Sequence, residues 1–194
     1  MRKILVFALI MVLALSLLTA CGENGGNDTG GKKGTTSPAN ETKEKIMPSK
    51  IITLEDAERI LGIDMHVYGE LDEREEGAFG GEHYKTAYSF AGKTNATAYM
   101  LQVSEASPLS GSLDGLKKNY EGSKDNWVEG VGDWAMVTRS PLHKIYVAYK
   151  GYSFELILTG NHAVRGDEEE SSWKAEMLIE AGKCGVERLE AIIK

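Results

Sequence analysis

Residues 145–156 read IYVAYKGYSFEL. Apolar residues fall at every second position as far as Tyr149 and again from Tyr152, with Lys150-Gly151 between them. Period-two alternation on both sides of a two-residue, glycine-containing connection predicts an antiparallel hairpin. The register pairs Tyr149 with Tyr152, Val147 with Phe154 and Ile145 with Leu156 on one apolar face. Tyr146, Ala148, Ser153 and Glu155 share the other, mixed face. One oily and one mixed face predict a sheet covered mainly on one side.

The same period recurs upstream. Tyr84, Thr86, Tyr88 and Phe90 alternate with polar or small residues, and so do Thr97, Tyr99, Leu101 and Val103. Gly92 to Asn95 supply turn residues between them, which predicts a second hairpin. A fifth strand, Trp134 to Arg139, follows the turn Gly130-Val131-Gly132-Asp133 and is closed by Pro141. Residues 69–82 are acidic and glycine-rich, and read as a loop.

Helices frame these strands. Thr53 is an N-cap with Asp56 as the reciprocal acid of a capping box; Leu54, Ala57, Ile60 and Leu61 form a stripe ended by Gly62. Ser112 to Tyr120 reads as a short helix weakened by Gly115. From Ser171 to Lys194, the residues Leu178, Gly182, Gly185, Leu189 and Ile192 fall on one helical face. Two glycines inside a helix predict either a close approach to the sheet or a break. The expected order is αββαβββα, an α+β domain with a mainly antiparallel sheet of about five strands.

The chain has 194 residues and a formal charge of −7, with 42% apolar and 26% charged residues. Those values suit one globular domain and argue against nucleic acid as a partner, which demands clustered cations. Two cysteines cannot build a disulfide scaffold. The N-terminus differs in kind from the rest. Arg2 and Lys3 precede an apolar run from Ile4 to Leu18, broken only by Ser16, and then come Leu18, Thr19, Ala20 and Cys21. A positive start, a short apolar stretch and small residues before a cleavage point make an export signal over residues 1–20.

Leu18-Thr19-Ala20-Cys21 resembles the lipobox of bacterial lipoproteins. The resemblance implies that Cys21 receives a diacylglyceryl group on its sulfur and becomes the new N-terminus, anchored in the bilayer by its acyl chains. It places the protein on the extracytoplasmic face of the cell membrane. Loss of Arg2 and Lys3 leaves 20 cations against 29 acids, a charge of −9, so lipid rather than charge must hold the protein to the membrane. Residues 21–47, rich in Gly, Asn, Thr and Lys, are expected to act as a flexible tether, and 48–194 as a single α+β domain.

The body offers no chemical motif of specific spacing. His66, His83, His143 and His162 show no metal-ligand spacing, and neither acidic run (72–76 or 167–170) matches a calcium loop. No metal or other cofactor is expected. Cys184 reads as a packed, inert thiol. Ser-x-x-Lys occurs as Ser171 to Lys174, without companion motifs, and no nucleophile elbow or phosphate loop is present. Gly130-Val131-Gly132-Asp133-Trp134-Ala135 resembles a turn in small secreted lipoprotein domains of unknown function; a tight turn feeding a core strand accounts for it. Tyr146 and Trp127 are the aromatic residues picked as a binding surface. The expected function is a non-enzymatic binding module of the envelope, with a partner in the envelope or outside the cell. The alternative is an envelope enzyme whose site is assembled from dispersed residues. A two-lobed solute receptor does not fit a body of this size.

Overall fold

Strands β7 (His143–Tyr149) and β8 (Tyr152–His162) pair in the expected register, Tyr149 with Tyr152, Val147 with Phe154 and Ile145 with Leu156. Lys150 and Gly151 both take positive φ, 47° and 78°, as the tight connection requires. The computed structural model describes residues 43–76, 81–91, 97–139, 142–162 and 167–194. The expected export signal, Cys21, the expected tether as far as residue 42, the turn at 92–95 and Pro141 lie outside the described residues.

The second hairpin is present as well. Strand β2 (Glu82–Ala91) pairs with β3 (Thr97–Ser104), with Thr86 opposite Val103 and Tyr88 opposite Leu101. Three further strands bring the sheet to eight among the described residues: β1 (His66–Glu76), β4 (Ser107–Pro108) and β5 (Trp127–Val128). With β6 (Trp134–Thr138), the order is β1-β2-β3-β8-β7-β6-β5, β4 pairing with β8 beside that path, and every pairing is antiparallel. The α+β class and antiparallel sheet match expectation; the strand count and order do not.

Each missed strand has a physical reason. In β1 the register slips between Tyr68 and Glu73, where Gly69 and Asp72 take positive φ. The bulge breaks the period, and an edge strand with nearly all its side chains in solvent carries no apolar alternation. β4 and β5 are two residues long, too short to show any period.

Three helices cover the apolar face: α1 (Pro48–Ile51), α2 (Leu54–Leu61) and the 26-residue α4 (Asp167–Ile192). The α2 capping box forms in full, Asp56 N–H donating to Thr53 Oγ1 and Thr53 N–H to Asp56 Oδ2. Helix α4 runs unbroken through both glycines, so close approach is the answer. A Cβ on Gly182 would lie 2.9 Å from Ile145 Cδ1, and one on Gly185 2.8 Å from Phe154 Cζ. Leu178, Gly182, Gly185 and Leu189 are buried as the stripe predicts; Ile192 is exposed.

The other face is covered more than one-sided packing implies. Helix α3 (Leu113–Asn119) and the 3₁₀ turn Glu121–Asn126 lie against Trp134, Met136 and Ala148 with Leu113, Leu116 and Tyr120. The body also begins earlier than expected. Ile46 is buried and exchanges two backbone hydrogen bonds of 2.9 Å with Ala106, so residues 43–47 belong to the fold and not to the tether.

Candidate functional site

The Gly130–Ala135 segment leads into the candidate site. Gly130 and Gly132 have φ of 76° and 60°, and a Cβ on Gly132 would stand 2.6 Å from the Ala148 carbonyl oxygen. Asp133 N–H donates to that oxygen, and the Asp133 carboxylate accepts from Lys150 N–H at 2.7 Å. Val131 is buried against Gly182. The motif is therefore the tight turn that opens β6 and braces the β7–β8 connection.

Beyond it, Trp134 is the hub of an aromatic cluster. Its ring centroid lies 5.5 Å from Tyr120, 5.8 Å from Trp127 and 6.0 Å from Tyr146. The sequence picks Trp127 and Tyr146 thus meet the same indole, but in different roles. Tyr146 is half-buried against Tyr120 and Trp134 and lines none of the three clefts below. Trp127 stands at the rim, with Lys124 Nζ 5.9 Å above its ring. The indole N–H groups of Trp127 and Trp134 are both buried without a hydrogen-bond partner in the protein.

Two clefts flank Trp127. One, of about 450 Å³, lies between β5, the end of β6 and α4, with Trp127, Val128, Val137, Arg139, Ala175 and Ile179 among its walls. The other, of about 420 Å³, is walled by Lys117, Lys124, Trp127, Trp134 and the Gly130–Asp133 turn. A third, of about 370 Å³, is lined by Arg139, Glu168, Ser171 and Ser172, and so adjoins the first through Arg139. Sequence periodicity marks none of these walls: the first and third clefts join residues 125–139 to α4, and the second is folded from residues 117–134 around a turn.

The remaining sequence candidates separate. Cys184 is buried; Arg59 Nη2 donates to its sulfur at 3.4 Å, while burial and then the nearby Asp56 push the thiol up, an inert arrangement. His66 is exposed, and the His162 side chain lies outside the described residues. His83 is exposed with Nδ1 3.7 Å from Glu105 Oε1. Glu105 itself is buried, paired to Lys45 at 2.7 Å and accepting from Ser107 Oγ at 2.8 Å.

Both acidic runs lie in regular elements, 72–76 in β1 and 167–170 in α4. Asp72, inside the β1 bulge, accepts from Ser49 N–H at 2.8 Å, Ser49 Oγ at 2.6 Å and Thr86 Oγ1 at 3.0 Å, tying α1 to the sheet edge. The second run opens α4, where Glu170 is buried. Among the described residues, no group of three or more His, Cys, Asp or Glu could hold a metal ion, and no helix is long and apolar enough to cross a membrane.

His143 differs from the other histidines. Its Nε2 lies 2.9 Å from Ser171 Oγ, joining the start of β7 to the second turn of α4. Burial, then the charges of Lys174 and Arg139, hold its pKa below the ordinary value, against an opposing pull from Glu170. Lys174 is itself buried, donates to the Gly160 carbonyl and stands 3.6 Å from Glu170. The sequence could not have found this contact, since 28 residues separate its partners. No protein-family model, no curated protein and no solved structure matches the chain.

Proposed function

We propose that the chain is an envelope lipoprotein, anchored through acyl chains on Cys21, whose body recognises a ligand or partner outside the cytoplasm at the clefts beside Trp127. The single observation behind the recognition role is that Trp127 walls two adjacent clefts while its ring packs edge-to-face, at 88°, on the buried Trp134. A rigid aromatic at the edge of a concave surface gives large contact area for little lost side-chain entropy. The anchor rests on Leu18-Thr19-Ala20-Cys21 after an apolar run too short to span a bilayer.

Two measurements test this reading. Cys21→Ala should move the protein from the membrane pellet to the soluble fraction; unchanged fractionation refutes the anchor. A photo-crosslinking amino acid at position 127 should capture a discrete product on intact cells that the same probe at exposed Lys118 does not. Identical patterns at the two positions refute the recognition surface. The second reading, an enzyme with a dispersed site, is favoured by one observation, the contact between His143 and Ser171.

A further inference from the structure

We propose that Ser171 and His143 form a nucleophile–base pair that accepts an acyl group from a carboxylic ester bound in the cleft beside Arg139. The inference goes beyond the recognition role and does not depend on Trp127. A serine hydroxyl is a weak nucleophile until a base within hydrogen-bond reach takes its proton. Here the base stands 2.9 Å away, at the middle of the productive range.

The surroundings suit the base. The groups facing His143 are Lys174 and Glu170 on α4 and Arg139 after β6. Two of these three are cations, and the ring is partly buried, which favours a neutral imidazole able to accept. The lysine of the Ser-x-x-Lys motif is not the base. Lys174 donates to the Gly160 carbonyl and pairs with Glu170, and its charge acts on His143 through space. Ser171 opens onto the 370 Å³ cleft that Arg139, Glu168 and Ser172 share, so an ester can reach it. The Arg139 guanidinium in that cleft is the group available to meet negative charge on a carbonyl oxygen.

The chemistry closes without another reactant besides water. Ser171 Oγ bonds to the acyl carbon as its proton passes to His143 Nε2. The ester C–O bond breaks, and the leaving alkoxide takes that proton. Water, deprotonated by the same nitrogen, then bonds to the acyl carbon; the acyl–Oγ bond breaks, Ser171 Oγ takes the proton back from His143, and the acid is released.

The test is a fluorophosphonate probe on the full-length protein, read by peptide mass spectrometry. Attack forms an O–P bond, expels fluoride and sends the serine proton through His143. The wild type should gain the adduct on Ser171, Ser171→Ala should lose it, and Ser172→Ala, which alters the neighbouring hydroxyl in the same cleft, should keep it. His143→Gln should slow labelling by about 100-fold or more, the usual size of general-base assistance. The wild-type rate should fall on acidification with a midpoint below ~6.5, the value of a free imidazole. No adduct at Ser171, equal labelling in a folded His143→Gln, or a flat pH profile in the wild type overturns the proposal. The pH profile decides alone if His143→Gln does not fold.

Discussion

Replacing Gly185 by alanine sets two known effects against each other. Alanine is the better helix former by about 0.5–1 kcal/mol, and in an exposed helix that gain would be seen. At Gly185, however, the new Cβ would lie 2.8 Å from Phe154 Cζ, 2.9 Å from Cε2 and 3.1 Å from Ile51 Cγ2. Phe154 is 2% exposed and fixed opposite Val147, so its ring has nowhere to turn. Overpacking a close-packed site costs about 1–3 kcal/mol, so the net result should be a loss of about 1–2 kcal/mol. For a body of this size that is a fall in Tm of roughly 3–6 °C. Gly182→Ala meets the tips of Ile145 and Val131 at 2.9 and 3.1 Å, which yield more easily. Its loss should be smaller, about 0–1 kcal/mol. Urea titration of both variants measures the difference directly. If Gly185→Ala is as stable as the wild type, α4 does not lie on Phe154 as described, and the close-approach explanation fails.

Three other outcomes follow from the same contacts. Burial pushes the Asp56 carboxyl up, but hydrogen bonds from Arg188 and Thr53 and the Arg188 charge outweigh it and hold it well below its ordinary 3.8. Its contribution is therefore complete above that value and drains away as the pH falls below it, so Asp56→Asn should lower stability at pH 7 by about 1–2 kcal/mol and flatten acid unfolding below pH ~4. Gly151→Ala should cost about 1 kcal/mol in thermal unfolding, because φ is +78° there, while the nearby Lys43 Nζ can swing aside. Lys45→Met removes the 2.7 Å partner of buried Glu105 and should cost about 1 kcal/mol. It should also speed amide exchange at Ile46, whose N–H donates to Ala106, and unchanged protection would show that residues 43–47 are held by other contacts.

Much of this fold could be read before any coordinates. Both hairpins and the Thr53 cap are local patterns, fixed by residues that are neighbours in the chain or related by a period of two or 3.6. The oily stripe of α4 is local in the same sense. The paired glycines show where reading stopped: the sequence marked an anomaly at 182 and 185, but only the packing of Ile145 and Phe154 against them separated close approach from a break. Asp72 shows the same limit for charge. In an acidic run it looks like solvent-facing loop, yet the bulge turns its carboxylate onto Ser49 and Thr86.

For function, the division is sharper. The sequence alone carries the proposed export signal and lipobox, because a lipidating machinery must read a short contiguous segment. It also determined the α+β class, through the periods that put apolar side chains on one face. Tertiary structure alone decided that Tyr146 packs on Trp134, that Trp127 and Arg139 wall adjoining clefts, and that His143 reaches Ser171. Each of those contacts joins residues many positions apart. Their spacing along the chain carries no signal, because the sheet register and the seat of α4 bring them together only once the core has closed.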